Sequence, residues 1–349
     1  MEKIAIILIN YKDYAKKYLQ DCIESLRTQS YNGESRLFIV DNETSEESFA
    51  YLKTHAPEAE IIRNEGNDGF AKGNNDAIRR ALQQGFDYVI LFNMDVVVEK
   101  NCVAELVRAA ETDAKIGAVQ ARLMLWPERE KINSLGNVTH FLGFGYSLGY
   151  RQKFDETDLK TRNIAYPSGA AVLFTKEALQ KAGLFDEEFW MYNEDQDIGW
   201  RLWLTGFYCV MAPQAVAYHK YEFSRSIQKY YWMDRNRIIA IIKNYHWLTL
   251  LLILPAFAIM ETGLILFSFK TGWFMEKMRV WRYFLTPRTW SYLLRARKQT
   301  QGLRAVADKE IIKLFSGRIW YQEIDDTKLR LVNPVFALYW RVIKHVILC

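Results

Sequence analysis

The 349-residue sequence predicts an α/β fold, a mixed sheet flanked by helices, followed by a C-terminal helical region of different composition. Three observations carry that prediction. Through the first half, short apolar runs alternate with helix-period patterns, as expected of strands joined by crossover helices. Half of the residues are hydrophobic, enough for a sizeable core, and a chain this long points to two domains or to one domain with an appendage. From about Tyr230 the alternation stops, and long apolar and aromatic-basic segments replace it. The division drawn on this basis is 1–222 and 223–349.

Taken in order, the predicted strands are Ile4 to Ile9, Arg36 to Val40, Ala59 to Arg63, Tyr88 to Phe92 and Ile116 to Ala121. Between them the spacing predicts helices at about Ala15 to Thr28, Glu46 to His55, Gly73 to Gln84 and Asn101 to Ala110. In open α/β sheets ligands bind beyond the carboxyl ends of the strands. Those ends carry Asn10 and Tyr11, Asp41 and Asn42, Asn64 to Gly69, and Asn93 to Asp95, and polar side chains fill each of them. The segment "LGNVTHFLGFGYSLGY" reads as a loop region over the sheet that shapes an acceptor pocket. Order returns at "AYPSGAAVLFTKEAL", a strand and a helix, then at the acidic helix opened by "MYNEDQDIGWRL", and then at a strand from Tyr208 to Tyr218 that ends in His219.

Beyond Tyr230, Asn244 to Phe269 is nearly uncharged, interrupted by Pro255 and Glu261. It is long enough to span a bilayer, but the proline and glutamate favour a re-entrant or interfacial helical hairpin. The following "KTGWFMEKMRVWRYFLTPRTWSYLLRARK" mixes tryptophan, tyrosine and basic residues as headgroup-layer helices do. The net charge of +5 hides an asymmetry: from Lys243 onward there are 17 Lys and Arg against 7 Asp and Glu, and 29 against 34 before it. Anionic lipid and nucleic acid are both candidates for a basic tail, and tryptophan beside an apolar run favours lipid and no nucleic acid. Cys22, Cys102, Cys209 and Cys349 are scattered, without the spacing of a zinc site or disulfide framework, so a reducing cytoplasm is expected. The opening "MEKIAIILINY" reads as a buried strand, not as a charged-then-apolar leader, and export by that route is not expected.

Two constellations carry chemistry. In "YVILFNMDVVVEKN" an apolar strand ends at Asn93-Met94-Asp95, and a single carboxylate there could hold Mg²⁺ or Mn²⁺ while a ligand's phosphates complete the shell. His219, at another strand end, is a candidate second ligand that would bias the site toward manganese over calcium. In "RNEGNDGFAKGNNDAI" glycines precede a helix, a natural place for backbone to approach phosphate, although the spacing matches neither the dinucleotide fingerprint nor the P-loop.

The ordered set "ILINYKDYAKKYLQDCIESLRTQSY", "FIVDNETSEES", "RNEGNDGFAKGNNDAI", "LFNMDVVVEKN", "PSGAAVLFTKEALQKAGLFDEEFWMYNEDQDIGWRL" and "AVAYHK" resembles the inverting family 2 glycosyltransferases, particularly their rhamnosyltransferase-like branch, over roughly Lys3 to Tyr221. The resemblance implies the GT-A fold, a nucleotide-diphosphate sugar donor and a divalent ion. By similarity, Asn10 and Tyr11 line the nucleotide pocket, Asp41 meets the base, and Asn67, Gly69, Phe70 and Asn74 border ribose and diphosphate, with Asn93 beside them. Asp95 and His219 match the metal positions, with Met94 standing where the family usually has proline. Asp195 matches the catalytic base, with Glu194 beside it, and Ser168, Gly169, Trp190 and Asp197 fall on the acceptor side. Physically, an acceptor hydroxyl must lose a proton as it attacks the anomeric carbon, and carboxylates crowded at Glu194, Asp195 and Asp197 raise one another's proton affinity.

The expected function is metal-dependent, inverting transfer of a hexose or deoxyhexose to a glycan or lipid-linked acceptor at the cytoplasmic face of the membrane. The competing expectation is a non-catalytic, membrane-associated nucleotide-sugar-binding module. A nucleotidyltransferase is disfavoured because "NYKDYAKKY" after the first strand has no glycine.

Overall fold

The computed structural model describes residues 2–220, 227–320 and 327–349. The expected domain boundary at 222/223 lies outside the described residues. Two compact units are present, one of Met1–Asn137, Ser147–Leu202 and Phe207–Glu222, the other of Val138–Tyr146, Trp203–Gly206 and Phe223–Cys349.

The first unit is built on strands β1 (Ile4–Tyr11), β2 (Ser35–Asn42), β3 (Glu60–Asn64), β4 (Tyr88–Phe92), β5 (Val96–Val98) and β6 (Ile116–Leu125), with helices α1 (Tyr14–Arg27), α2 (Glu46–His55), α3 (Gly69–Gln83) and α4 (Cys102–Ala110) between them. Then come the short strand β7 (Ile132–Ser134), the strands β8 (Asn137–His140) and β9 (Gly145–Ser147), which belong mainly to the second unit, and the first unit's β10 (Arg162–Asn163), β11 (Ala171–Thr175), α5 (Lys176–Ala182), α6 (Glu194–Leu204) and β12 (Tyr208–His219). The main sheet runs β10-β12-β6-β11-β4-β1-β2-β3, with β5 on β12 and β7 on β6. β1, β2, β3 and β4 are parallel, whereas β11 is antiparallel to both β4 and β6, so the sheet is mixed. β1 lies between β2 and β4, where the winding reverses, and the carboxyl ends of these strands face one cleft.

Local chemistry explains the elements. β1, β4 and β6 are apolar and almost wholly buried, as strands covered on both faces must be. The hydroxyl of Ser45 accepts from Ser48 N while the Ser48 hydroxyl accepts from Ser45 N, which starts α2. Thr175 caps α5, and Gly183 ends it at φ 80°, where a side chain would be strained. The predicted strands and helices of the first half are present, with α3 starting at Gly69 and not at Gly73. The segment expected as a loop over the sheet instead contains β8 and β9, which join β13 (Phe315–Ser316) in a second, three-stranded sheet. Its small and aromatic residues let short strands pack closely, which glycine content alone does not reveal.

The second unit is helical: α7 (Gln228–Asn244), α8 (Trp247–Thr271), α9 (Phe274–Phe284), α10 (Pro287–Gly302), α11 (Asp308–Ile311) and α12 (Thr327–Ile343). α8 is one unbroken helix, not the expected hairpin. Pro255 lies on its exposed side, so the hydrogen bond that proline removes does not open the packed face. Glu261 is paired: Lys277 Nζ bonds Glu261 Oε2 at 2.7 Å and Asp234 Oδ2 at 2.6 Å, and the Arg237 guanidinium bonds Asp234 and Glu261. Four buried charges, two of each sign, thus fasten α7, α8 and α9 to one another.

Candidate active site

The cleft begins where strand register sets side chains opposite each other. β1 and β2 pair Asn10 with Asp41 and Tyr11 with Asn42. Asn10 Nδ2 donates to Asp41 Oδ1 at 2.7 Å, while its Oδ1 accepts from Ala15 N at 2.8 Å and so anchors the start of α1. Asp41 Oδ2 accepts from the Thr44 and Ser48 hydroxyls, each at 2.7 Å. Asp41, expected to meet the base, is fully buried and accepts from these three donors. What reaches the adjoining cavity of about 370 Å³ is Thr44 and Ser48, with Lys12, Lys16, Glu47 and Tyr51 around them. Sequence reading missed Thr44 and Ser48; their spacing of three and seven residues from Asp41 was the available signal. Tyr11 stands at the rim, 37% exposed.

Next to it, the glycine-rich turn is held by one residue from far along the chain. Trp190 O accepts from Phe70 N at 2.8 Å and Ala71 N at 3.1 Å, and the Trp190 indole N–H donates to Asn67 O at 3.1 Å. Gly69 has φ 73°, and a Cβ there would come within 2.5 Å of Trp190. Asn67 Oδ1 accepts from Gly69 N, and Asn74 Nδ2 donates to Phe70 O. Trp190 was expected on the acceptor side; the structure places it against this turn, capping α3. The chain around it is strained: Trp190, Tyr192 and Asn193 all have positive φ, 59°, 69° and 63°, a conformation that costs L residues energy and clusters at functional sites.

That strained run delivers the acids. Asp195 Oδ1 accepts from Gln196 N at 2.8 Å, and its carboxylate also takes a hydrogen bond from the Gly169 backbone. Burial pushes its pKa up to about 6 against those bonds. Burial, reinforced by the neighbouring Asp195 charge, raises Glu194 well above the usual carboxylate range, and Glu194 Oε2 is enclosed without a hydrogen-bond partner. Asp197 behaves differently. It is fully enclosed, 2.8 Å from Arg201 Nε, and Arg201 also bonds the carbonyls of Ala182, Gly183 and Leu184. Asp197 is therefore a fastener between α6 and the end of α5, which corrects both its expected acceptor contact and its expected share in raising Asp195.

The segment 168–170 links Asp195 to the Asn93–Asp95 turn. Gly169 bonds Asp195, Ala170 O accepts from Asn93 N at 2.9 Å, and Ser168 N donates to the buried Gln120 Oε1 at 2.7 Å. The Phe70 ring packs on Gly169, where a Cβ would approach it to 2.8 Å. Asn93 begins the turn closed by Val96 N to Asn93 O, and Asp95 precedes β5, whose antiparallel register sets Val96 opposite His219. His219 Nε2 consequently stands 3.2 Å from Asp95 Oδ1, a buried oxygen with no aligned hydrogen-bond donor. Burial opposes ionisation of Asp95, but bonds to His219 and Tyr14 hold its carboxyl below the usual range. Asn133 Oδ1 lies 3.0 Å from His219 Nδ1 and so orients the imidazole toward Asp95. Asn133 was not foreseen from the sequence. Among the described residues no group of three His, Cys, Asp or Glu is placed to hold a metal ion, and Asp95 and His219 stand together as a pair of donors. A hard divalent ion accepts such a partial cage when phosphate oxygens complete it, and the orphaned oxygen beside an oriented imidazole fits that use.

Residues 5–183 match the family model for glycosyl transferase family 2. The chain belongs to this family. Poly-beta-1,6-N-acetyl-D-glucosamine synthase of Staphylococcus epidermidis is 24% identical over 221 residues, 62% of this chain and 50% of that one. N-acetylglucosaminyl-diphospho-decaprenol L-rhamnosyltransferase of Mycobacterium tuberculosis is 30% identical over 147 residues, 38% of this chain and 47% of that one. The chain thus spans about half the length of these curated relatives. Among solved structures, GalNAc-T7 with UDP, GalNAc and Mn²⁺ superposes with a TM-score of 0.55 at 13% identity, over 70% of this chain and 48% of that one, which shows the shared GT-A fold. The family match includes the β1, β2, α3 and Asn93–Asp95 parts of the site, and α6 and His219 lie beyond its end.

Proposed function

We propose that this family 2 protein is an inverting glycosyltransferase, in which Asp195 deprotonates an acceptor hydroxyl as that oxygen attacks the anomeric carbon of a nucleotide-diphosphate sugar. The observation that carries the reading is Asp195 itself: a carboxylate raised to about 6, fixed by the Gly169 backbone, on the segment that also grips the Asn93–Asp95 turn. A base of that pKa is ionised at neutral pH yet basic enough to share a proton in the transition state. In a single displacement the acceptor O–C bond forms, the bond from anomeric carbon to diphosphate oxygen breaks, the acceptor proton passes to Asp195, and configuration inverts. Glu194 stands beside Asp195 with its carboxyl raised well above the usual carboxylate range by burial and by the Asp195 charge.

The donor's base and ribose would occupy the cavity bordered by Thr44 and Ser48, with its diphosphate toward Asp95. Mn²⁺ or Mg²⁺ would be held by Asp95 and His219 and would offset charge on the departing diphosphate. A neighbouring fold solved with UDP and Mn²⁺ supports this donor class. The mycobacterial relative is named for a decaprenol-linked acceptor, which, with the basic apolar C-terminal region, supports a lipid-linked or glycan acceptor met at the cytoplasmic membrane face.

The test is release of nucleoside diphosphate from a panel of uridine, thymidine and guanosine diphosphate sugars, with lipid-linked and free glycan acceptors and with Mn²⁺, Mg²⁺ or chelator. Metal-dependent release from one donor, lost in Asp195→Asn while donor binding persists, supports the assignment. Binding of donor without release under any of these conditions overturns it in favour of a binding module.

A further inference from the structure

We infer that the helical unit docks on an anionic lipid surface through the outward faces of α8 and α12, with α8 lying in the plane of the interface and not crossing the bilayer. The inference takes its setting from the membrane-side location proposed above and does not depend on sugar transfer.

α8 is the one helix among the described residues long and apolar enough to span, with a mean hydropathy of 2.3 over its best window, of which 22% is buried. Its outward stripe, Leu251, Leu254, Ile259 and Leu266, is 55–67% exposed. On α12, Val335, Leu338 and Val342 recur at three- and four-residue steps and are 59–66% exposed. The Tyr339 hydroxyl donates to Leu252 O at 2.6 Å, which ties the two helices side by side. Contiguous apolar surface of this kind is uncommon on a protein that meets only water.

The opposite side of α8 excludes a span. Glu261, midway along it, is bonded to Arg237 and Lys277, and both of these to Asp234, all buried. A spanning α8 would carry this cluster to the bilayer centre together with α7 and α9, which hold the other three charges. α9 has 11 residues, roughly 16 Å of helix, against a hydrocarbon core of about 30 Å. Lying flat, α8 keeps the four charges on its protein side and presents only its apolar side to lipid, as interfacial helices do.

Charge selects the occupant. Lys270, Arg282, Arg288, Arg295, Lys298 and Lys344 are exposed, and among the described residues none has an acidic partner within ion-pair distance. Each such cation near an anionic membrane surface contributes about 1 kcal/mol of attraction. Lys270 lies in the last turn of α8 and Lys344 directly follows α12, so a second copy laid on this face would bring like charges together, which disfavours self-association. Trp247, Trp281 and Trp290 are 44–56% exposed, the amphipathic ring type found at the headgroup level.

Flotation of the full-length protein with vesicles of phosphatidylcholine alone or mixed with phosphatidylglycerol tests this. Binding is expected to the mixed vesicles, to fall with salt, and to weaken about tenfold or more in Leu251→Asp/Leu338→Asp, with donor turnover of the soluble form unchanged. Lys298→Glu/Arg295→Glu, on an exposed face, provides a second variant that leaves the apolar stripe intact and should lose the phosphatidylglycerol preference. In a Cys349→Ser background, a polarity-sensitive fluorophore on cysteines placed at 251, 259 and 266 should report one shallow depth. A graded profile, deepest at 259, would establish a span and overturn the in-plane arrangement. No binding to either vesicle, or a dimer in sedimentation that the Leu251→Asp/Leu338→Asp variant dissolves, would overturn the lipid surface itself. Sugar transfer with failed flotation would sink this inference alone; flotation without transfer would sink only the catalytic reading.

Discussion

Two clusters of buried acids sit in this chain and are handled in opposite ways. Asp234 and Glu261 in the helical unit face Arg237 and Lys277, and although burial alone would raise Asp234, those cations hold it below the usual carboxylate range. Glu194 and Asp195 in the sheet unit face no cation in any of their hydrogen bonds, and both are raised. The first cluster is neutral overall and positions helices. The second leaves proton affinity unquenched on a segment already strained at Trp190, Tyr192 and Asn193. Asp197 shows how easily the second could have become the first, since Arg201 one turn on neutralises it completely. The difference teaches where the fold stores chemistry: not where charge is densest in the sequence but where burial is left uncompensated.

Breaking the comparison at its reactive side should give the largest effect. Asp195→Asn is expected to lower kcat by about 10³-fold or more, the range associated with losing a positioned general base, with donor KM little changed. Steady-state kinetics against the donor checks this, and near-normal kcat would move the base elsewhere, first to Glu194. The wild-type kcat/KM should fall as pH drops through about 6, because the base must be ionised to accept the proton.

Breaking the compensated side should cost stability and not chemistry. Lys277→Met leaves Asp234 and Glu261 sharing one guanidinium, and removing one partner from a buried ion cluster typically costs about 3–5 kcal/mol. Chemical denaturation measures it. A loss under about 1 kcal/mol would mean that water reaches the cluster and that its charges are not dry. Gly69→Ala should come next, at roughly 2 kcal/mol, from a left-handed backbone and a collision with Trp190. Because Trp190 also caps α3, the same substitution should raise donor KM, whereas Trp190→Phe, which keeps the backbone carbonyl and loses the bond to Asn67, should raise it less.

The sheet of this fold was legible because buried parallel strands advertise themselves: "IAIILI", "YVILF" and "IGAVQA" admit few other readings. The meeting of Asp95 and His219 was legible too, since Asp95 lies just beyond one apolar strand and His219 ends another, and the Val96–His219 register brings them together. What the sequence hid are partnerships over long separations. Asp41 looks like a ligand-facing acid until Thr44, Ser48 and Asn10 are seen to enclose it. Trp190 looks like part of an acceptor wall until its carbonyl is found on Phe70 and Ala71, some 120 residues earlier. Glu261 looks like a break in an apolar helix until Lys277 and Arg237 meet it. Local spacing states what a side chain is able to bond, and only the fold decides which partner takes it.

The finest test of the comparison is a substitution expected to stabilise. Glu194 has a folded-state pKa above its unfolded value, so its protonated form fits the fold, and the stability associated with it is full below the unfolded pKa and lost as pH rises through the folded one. Glu194→Gln keeps the shape of the protonated acid and cannot ionise. The variant should therefore match the wild type at about pH 4 and exceed it by roughly 0.5–2 kcal/mol at alkaline pH, the range usual for removing a functional strain. Asp234→Asn should run the other way: the wild-type carboxylate contributes stability above its unfolded pKa, and that contribution disappears as pH falls through the lowered folded value. Melting temperatures of both variants from about pH 2 to 9 would show Asp234→Asn dropping below the wild type through the acid range and then holding a constant deficit, while Glu194→Gln climbs above the wild type only as pH rises beyond the unfolded pKa of Glu194. A Glu194→Gln curve parallel to the wild type would mean that the Glu194 carboxyl is hydrated and that its raised proton affinity plays no part beside Asp195.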